Sequence, residues 1–323
     1  MSSAADTARQ IEASSELPAG ARLRPAAAKP SLKPPSFEFP LEASVADAFR
    51  MVARSCLGHL LANEGAALLG QDPEGVHQVR VAVRRLRSAL RFFRRALDKA
   101  TRKRLRDELR WLAGALGPAR DWDVLVTETI RRPSLVAAAR NTGVARRAAR
   151  PRAAAHEAAR EALRSPRYAA LVLALERLVE LEEGWPATGK RAGFAAQPMA
   201  DAARGVIAAA DAAARKAGRR LAALAPAERH EFRKRLKELR YAASFLRPLY
   251  PGKPAQRYAA ALADLQDVLG EINDYETARQ LLQSAGAKLA PMIAALEEAA
   301  DEASVRLPAT WRSFRRASRF WEI

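Results

Sequence analysis

Residues His77 to Val124 align without a gap on His230 to Thr277, 153 positions further along the chain. Thirteen of the 48 positions are identical, where this Ala-, Arg- and Leu-heavy composition gives roughly five by chance. His77 pairs with His230, Arg80 with Arg233, Arg84 with Lys237, Leu86 with Leu239, Arg87 with Arg240, Arg94 with Arg247, Gly117 with Gly270 and Asp121 with Asp274. Two equivalent units that each carry an apolar face are expected to cover one another. That predicts two halves packed about a pseudo-two-fold axis and restricts the fold more than any other feature of the chain.

The repeated stretch has helical periodicity. His77, Arg80, Arg84, Arg87, Arg91 and Arg94 follow spacings of 3, 4, 3, 4 and 3, which places them in one stripe. Val79, Val83, Leu86, Leu90 and Phe93 form an apolar seam about 100° away. From His77 to Leu97 there are seven Arg and no acidic residue. The second copy has a basic stripe of His230, Arg233, Lys237, Arg240 and Arg247, with Lys234 beside it and Ser244 in place of the Arg91 equivalent. Its seam is Phe232, Leu236, Leu239, Ala243 and Leu246. Arg85, Arg91 and Arg95 lack repeated basic partners, and solvated charge is the expectation for them. Glu238 stands where the first copy has Arg85.

The formal net charge of +19 over 323 residues favours polyanionic partners: nucleic acid, polyphosphate or an anionic surface. Only ten of the 55 basic residues are Lys, and the planar fork of Arg suits phosphate oxygens. The single Cys56 rules out an intramolecular disulfide framework and a Cys-based zinc site. No segment has the apolar core of a signal peptide or the length of a membrane span, so a cytoplasmic location is expected.

The pattern is all-α, with no convincing period-2 strand. Residues 1–41 read as a disordered Ala- and Pro-rich tail, and 42–323 as one domain with repeat one at 42–184, a Gly- and Pro-containing linker at 185–198 and repeat two at 199–323. Gly117-Pro118 is expected to end a helix and Asp121 to cap the next one. In the second half separate helices are expected at 254–269 and 274–284.

The two copies resemble the CHAD domain, the conserved histidine α-helical domain. The family pattern is His-x-x-Arg-x-x-x-(Arg/Lys)-x-Leu-Arg followed by Leu-Gly-x-x-(Arg/Asn)-Asp. The first copy carries it as His77 to Arg87 with Leu116 to Asp121, and the second as His230 to Arg240 with Leu269 to Asp274. The resemblance covers about residues 42–323. It implies two helical bundles related by pseudo-two-fold symmetry and binding of inorganic polyphosphate at a basic channel or surface. It also implies, for some members, association with polyphosphate granules. No CYTH segment, to which some members are fused, is present.

The expected polyphosphate-binding residues are His77, Arg80, Arg84, Arg87, Arg91 and Arg94 from the first copy. From the second they are His230, Arg233, Lys234, Lys237, Arg240 and Arg247. A stripe from His77 to Arg94 extends ~26 Å along a helix, and two such stripes would contact a linear polyanion from both sides. The expected function is non-catalytic binding, with no catalytic residue, metal or cofactor. Asp121 and Asp274, helped by Asp123 and Glu276, stand as candidate magnesium ligands, but capping and the orienting of nearby Arg side chains is the preferred reading. The alternatives are a magnesium-dependent phosphohydrolase or polyphosphatase using these two Asp, and weak non-specific nucleic-acid binding. Membrane attachment is not expected, because mutual packing accounts for the amphipathic helices.

Overall fold

A computed structural model of the chain describes residues 31–35, 40, 42–181, 184–186, 188–221, 224–283 and 287–322. Most of the expected tail, residues 1–30, lies outside the described residues. The described residues are helical with no strand; a lone antiparallel bridge joins Ser44 to Pro198. The fold is therefore all-α, as the periodicity predicts. No described helix is long and apolar enough to cross a membrane.

The first half comprises α1 (Val45–Leu69), α2 (Pro73–Phe92), α3 (Lys99–Ala115), α4 (Gly117–Thr127), α5 (Val136–Thr142), α6 (Val144–Arg164) and α7 (Pro166–Glu180). A short α8 (Gly189–Ala196) follows, and then α9 (Met199–Ala217), α10 (Pro226–Leu246), α11 (Lys253–Gln283), α12 (Ala290–Val305) and α13 (Leu307–Arg316). The segment expected to be a linker thus contains a helix. Arg191 on it donates to the backbone oxygens of Arg94 and Leu97 at 2.9 and 3.2 Å, satisfying carbonyls beyond the end of α2. Part of the expected tail is likewise fixed: the Leu32 backbone exchanges hydrogen bonds of 2.8 and 3.0 Å with the buried Asn63 side chain.

Local chemistry sets the helix ends. Ser44 and Asp47 form a capping box on α1, and Gly70 closes that helix in the left-handed region at φ 65°. Asp72 caps α2, with Pro73 in its first turn. Helix α2 therefore starts four residues before His77, which sits in its second turn. At Gly75, α1 and α2 meet backbone to backbone. A Cβ there would lie 2.6 Å from the Ala66 carbonyl carbon and the Ala67 nitrogen, so only Gly permits this approach.

The apolar seams are buried as their spacing requires. Val79, Val83, Leu86, Leu90 and Phe93 of α2 and its cap, and Phe232, Leu236, Leu239, Ala243 and Leu246 of α10, all belong to one core cluster. Helices α2 and α10 pack on each other, as do α4 and α11. Phe92 meets Phe245 edge to face at 6.2 Å across the junction between the halves.

Two expectations about helix breaks are corrected. Asp121 does not cap α4, which starts at Gly117 without a side-chain cap; Asp121 lies inside the helix. In the second half α11 runs through Gly270 unbroken, with Asp274 in its interior. The halves differ because Pro118, which has no N–H to donate, is replaced by Glu271. Leu269, Ile272 and Tyr275 then carry the buried face of α11 across the Gly.

Two buried carboxylates fasten the periphery. Asp123 accepts from Arg152 Nε at 2.7 Å and lies 2.9 Å from His156 Nε2. Burial raises the Asp123 carboxyl, but His156 and Arg152 outweigh it and hold it below its ordinary value. Asp211 accepts from Arg215 Nε at 2.8 Å, from the Tyr258 hydroxyl at 2.7 Å and from Arg319 Nε at 3.1 Å. It thereby ties the chain's last turn to α9 and α11.

Candidate functional site

Four helices converge where the halves meet: α2 and α4 from the first, α10 and α11 from the second. The basic stripes of α2 and α10 come together there, bringing four of the expected cations within electrostatic reach of one another: Arg80, Arg84, Arg233 and Lys237. Arg84 Nε donates to the Tyr241 hydroxyl at 2.5 Å, and its guanidinium lies 5.9 Å from that ring's centre. Arg80 Nη1 donates to the Ala113 carbonyl at 2.9 Å, and Arg233 donates to the Asn273 side chain. The buried Arg233 Nε has no hydrogen-bond partner.

The balance of charge at this crossing is positive. Asp121 faces Arg80, Arg120 and Arg233, while Asp274 faces Arg233, Arg132 and Lys237. Burial lifts both carboxyls above their ordinary values against the pull of these cations. Burial, with Arg233 and Arg84 beside it, pushes the Lys237 ammonium down to about 7. Arg80 and Arg233 are lowered by burial in the same way. A group that resists its own charge in this manner gains most from an anion that restores the balance.

The remaining expected residues surround this centre unevenly. His77 is half-buried, with Glu74, Glu128, Arg84 and Arg120 around it, and burial and Arg120 lower its imidazole. His230 is exposed and is lowered by burial and by Lys234, Arg233 and Lys237. Arg87 reaches the surface beside Arg110. Arg240 Nη1 donates to Gln266 Oε1 at 3.2 Å. Arg91 is engaged across the junction, 2.5 Å from Glu238, and Lys234 pairs with Glu231 at 3.5 Å. Arg94 and Arg247 are exposed near the far ends of their stripes, away from the four clustered cations.

The expectation of solvated charge fails for Arg85, which is only 5% exposed with an unpartnered buried Nη1. Arg95 covers the Phe194 ring at 4.2 Å. Sequence reasoning gave Tyr241, Asn273, Arg120 and Arg132 no role in the site, although Arg120 and Asn273 hold the matched Arg/Asn position of the repeated motif and Tyr241 follows its Leu-Arg pair. Tyr241 had a legible signal, since it lies four residues after Lys237 on the same helix face. Arg132, which pairs with Glu271 at 3.5 Å and Asp274 at 3.7 Å, had none, because it comes from the turn after α4, beyond the aligned stretch that ends at Val124.

The proposed magnesium ligands are spread over different partners. Asp123 is committed to Arg152 and His156, and Glu276 to Arg279 at 2.7 Å. Among the described residues no group of three or more His, Cys, Asp or Glu is placed to hold a metal. Asp121 and Asp274 lie among the Arg cluster and partly neutralise it. A cleft of about 420 Å³ opens beside Asp274, lined by Arg132, Gln266, Asp267, Gly270 and Glu271.

Gly117 is part of the site's construction. A Cβ there would lie 3.3 Å from Arg80 Nη1, whereas at Gly270 it would meet nothing within 4 Å. Gly117→Ala is therefore expected to displace the Arg80 guanidinium and cost about 1 kcal/mol of stability through its bond to the Ala113 carbonyl. Gly270→Ala should carry no such cost, and chemical denaturation of the two variants side by side checks this.

The comparisons with known proteins agree with this architecture. The model of the CHAD domain matches residues 51–283. The crystal structure of the CHAD domain from the plant Ricinus communis superposes with a TM-score of 0.70 at 29% identity, covering 90% of this chain and 99% of that one. PptA from Streptomyces chartreusis has the same fold, with a TM-score of 0.59 at 20% identity over 87% of this chain and 100% of that one. No curated protein matches the chain in sequence.

Proposed function

Because the chain belongs to the CHAD-domain family, which is linked to polyphosphate, we propose that it binds inorganic polyphosphate without cleaving it, at the crossing of α2 and α10. The observation that carries this reading is the crowding of Arg80, Arg84, Arg233 and Lys237 around the half-buried carboxylates of Asp121 and Asp274. A polymer with one negative charge per unit offers the repeated anion that such a cluster lacks. The guanidinium forks of Arg80, Arg84 and Arg233 supply paired donors to phosphate oxygens, and the Lys237 ammonium adds a point charge. His77 and His230 flank them as further donors. Asp121 and Asp274 hold the Arg side chains in place.

Titration of the purified chain with long-chain polyphosphate tests the proposal. Binding should be tighter than to heparin at equal charge, should weaken steeply with salt, and should release no orthophosphate with or without magnesium. Equal affinity for heparin, or release of phosphate lost in Asp121→Asn, would overturn it. Weak nucleic-acid binding without sequence preference follows from the same charge. In cells, association with polyphosphate granules is the corresponding expectation, checked by imaging a fluorescent fusion.

Binding should also depend on pH in a defined direction. Lys237, held near 7 when the site is free, is protonated more readily beside bound phosphate. Affinity is therefore full below pH 7 and falls as pH rises above it, by at most about tenfold per unit for one proton taken up. Folding responds with the opposite sign. The unfolded chain, with an ordinary Lys, holds the proton up to about 10.5, so unfolding free energy rises between pH 7 and that value. Lys237→Gln should flatten both profiles.

A further inference from the structure

The two motif helices present equivalent Arg side chains, Arg87 and Arg240, to surroundings of opposite sign. Arg87 faces Arg110 of α3. Around Arg110, the cations Lys103, Arg106 and Arg110 all share the one carboxylate of Asp107, at 3.2 to 3.3 Å. Their side chains are 43–71% exposed, so this ridge carries free positive charge. Arg240 instead donates to Gln266, which lines the cleft beside Asp267, Glu271 and Asp274. The repeat itself makes the contrast. The positions of Arg106 and Arg110 are Ala259 and Ala263 in the second half, while Asp267 and Glu271 occupy the positions of Gly114 and Pro118.

Resting on the polyphosphate reading above, we infer that a long chain leaves the central cluster in one direction only, over Arg87 and along the Arg110–Arg106–Lys103 ridge of α3. Arg110 is then a binding residue for long chains. The acidic face of α11 turns the polymer away from the Arg240 side, since a phosphate brought there meets the like charge of Asp267, Glu271 being paired with Arg132 and Arg306. A short oligomer confined to the central cluster does not sense either flank.

The experiment compares long-chain polyphosphate with tripolyphosphate by calorimetry on the full chain and on Arg110→Glu, Arg240→Glu, Asp267→Asn and Arg84→Gln. Arg110→Glu should lower long-chain affinity about tenfold and leave tripolyphosphate unchanged. Arg240→Glu, at an expected binding residue that this one-sided path leaves aside, should change long-chain affinity by no more than about twofold, and Asp267→Asn should raise it. All three replaced side chains lie at the surface, and circular dichroism confirms folding. A long-chain affinity indifferent to Arg110→Glu, or equally sensitive to Arg240→Glu, overturns the one-sided path. Arg84→Gln separates the two ideas: if it weakens neither ligand, the polyphosphate site itself is misplaced.

Discussion

Replacing Arg84 and Lys237 together with Gln should lower polyphosphate affinity by about 10²- to 10⁴-fold while the helical content stays unchanged. The two residues come from different halves and occupy the same repeat position. Each sits at the α2–α10 crossing, Arg84 fixed by the Tyr241 hydroxyl and Lys237 held near 7 by burial and its Arg neighbours. A charge-assisted hydrogen bond in such a setting contributes about 1.5–3 kcal/mol, and two of them give the quoted range. Stability should not fall, and at and below pH 7 it should improve, the gain fading as pH rises toward 10.5, because the buried Lys237 resists its charge in the free protein. Calorimetric titration reads the affinity and a denaturant midpoint reads the stability. A double variant that binds like the parent would place the phosphate site elsewhere.

The largest effect on stability is expected from Asp211→Ala. Asp211 is 1% exposed and takes hydrogen bonds from Arg215, Tyr258 and Arg319. Removing it leaves two guanidiniums and a hydroxyl without their acceptor, a loss of about 3–5 kcal/mol by analogy with broken buried pairs. The aromatic cluster of Tyr258, Phe314, Phe320 and Trp321 that packs around it should loosen at the same time, visible in near-ultraviolet circular dichroism. Asp211→Asn keeps one acceptor oxygen and should cost less. Unchanged chemical denaturation of the Ala variant would show that the last residues of the chain do not need this anchor.

The main architecture was legible because helical periodicity and the repeat are properties of spacing alone. The seam from Val79 to Phe93 and its partner from Phe232 to Leu246 could be assigned to a core without any knowledge of neighbours. The centre of the site was legible for the same reason: Arg80, Arg84, Arg233 and Lys237 are the repeated cations in the middle of each stripe, and these meet. The ends were not, because spacing along one helix says nothing of what another helix brings. Arg91 has the right phase for the stripe, yet Glu238 arrives beside it across the junction. Arg85 has the wrong phase for solvent and is buried against α1. The break at Gly117-Pro118 was legible, but the one expected at Gly270 is absent because Gly was given the weight that belongs to Pro118.

The crossing of α2 and α10 has a thermodynamic consequence. Neither half owns the site: one contributes Arg80 and Arg84, the other Arg233 and Lys237, and these cations oppose the very junction that unites them. Apolar contacts such as Phe92 with Phe245 hold the junction closed. Any polymer that occupies the crossing removes that opposition and favours the assembled form over the open one, so ligand and interhalf closure reinforce each other reciprocally. The melting temperature of the protein then becomes a gauge of how much polymer surrounds it.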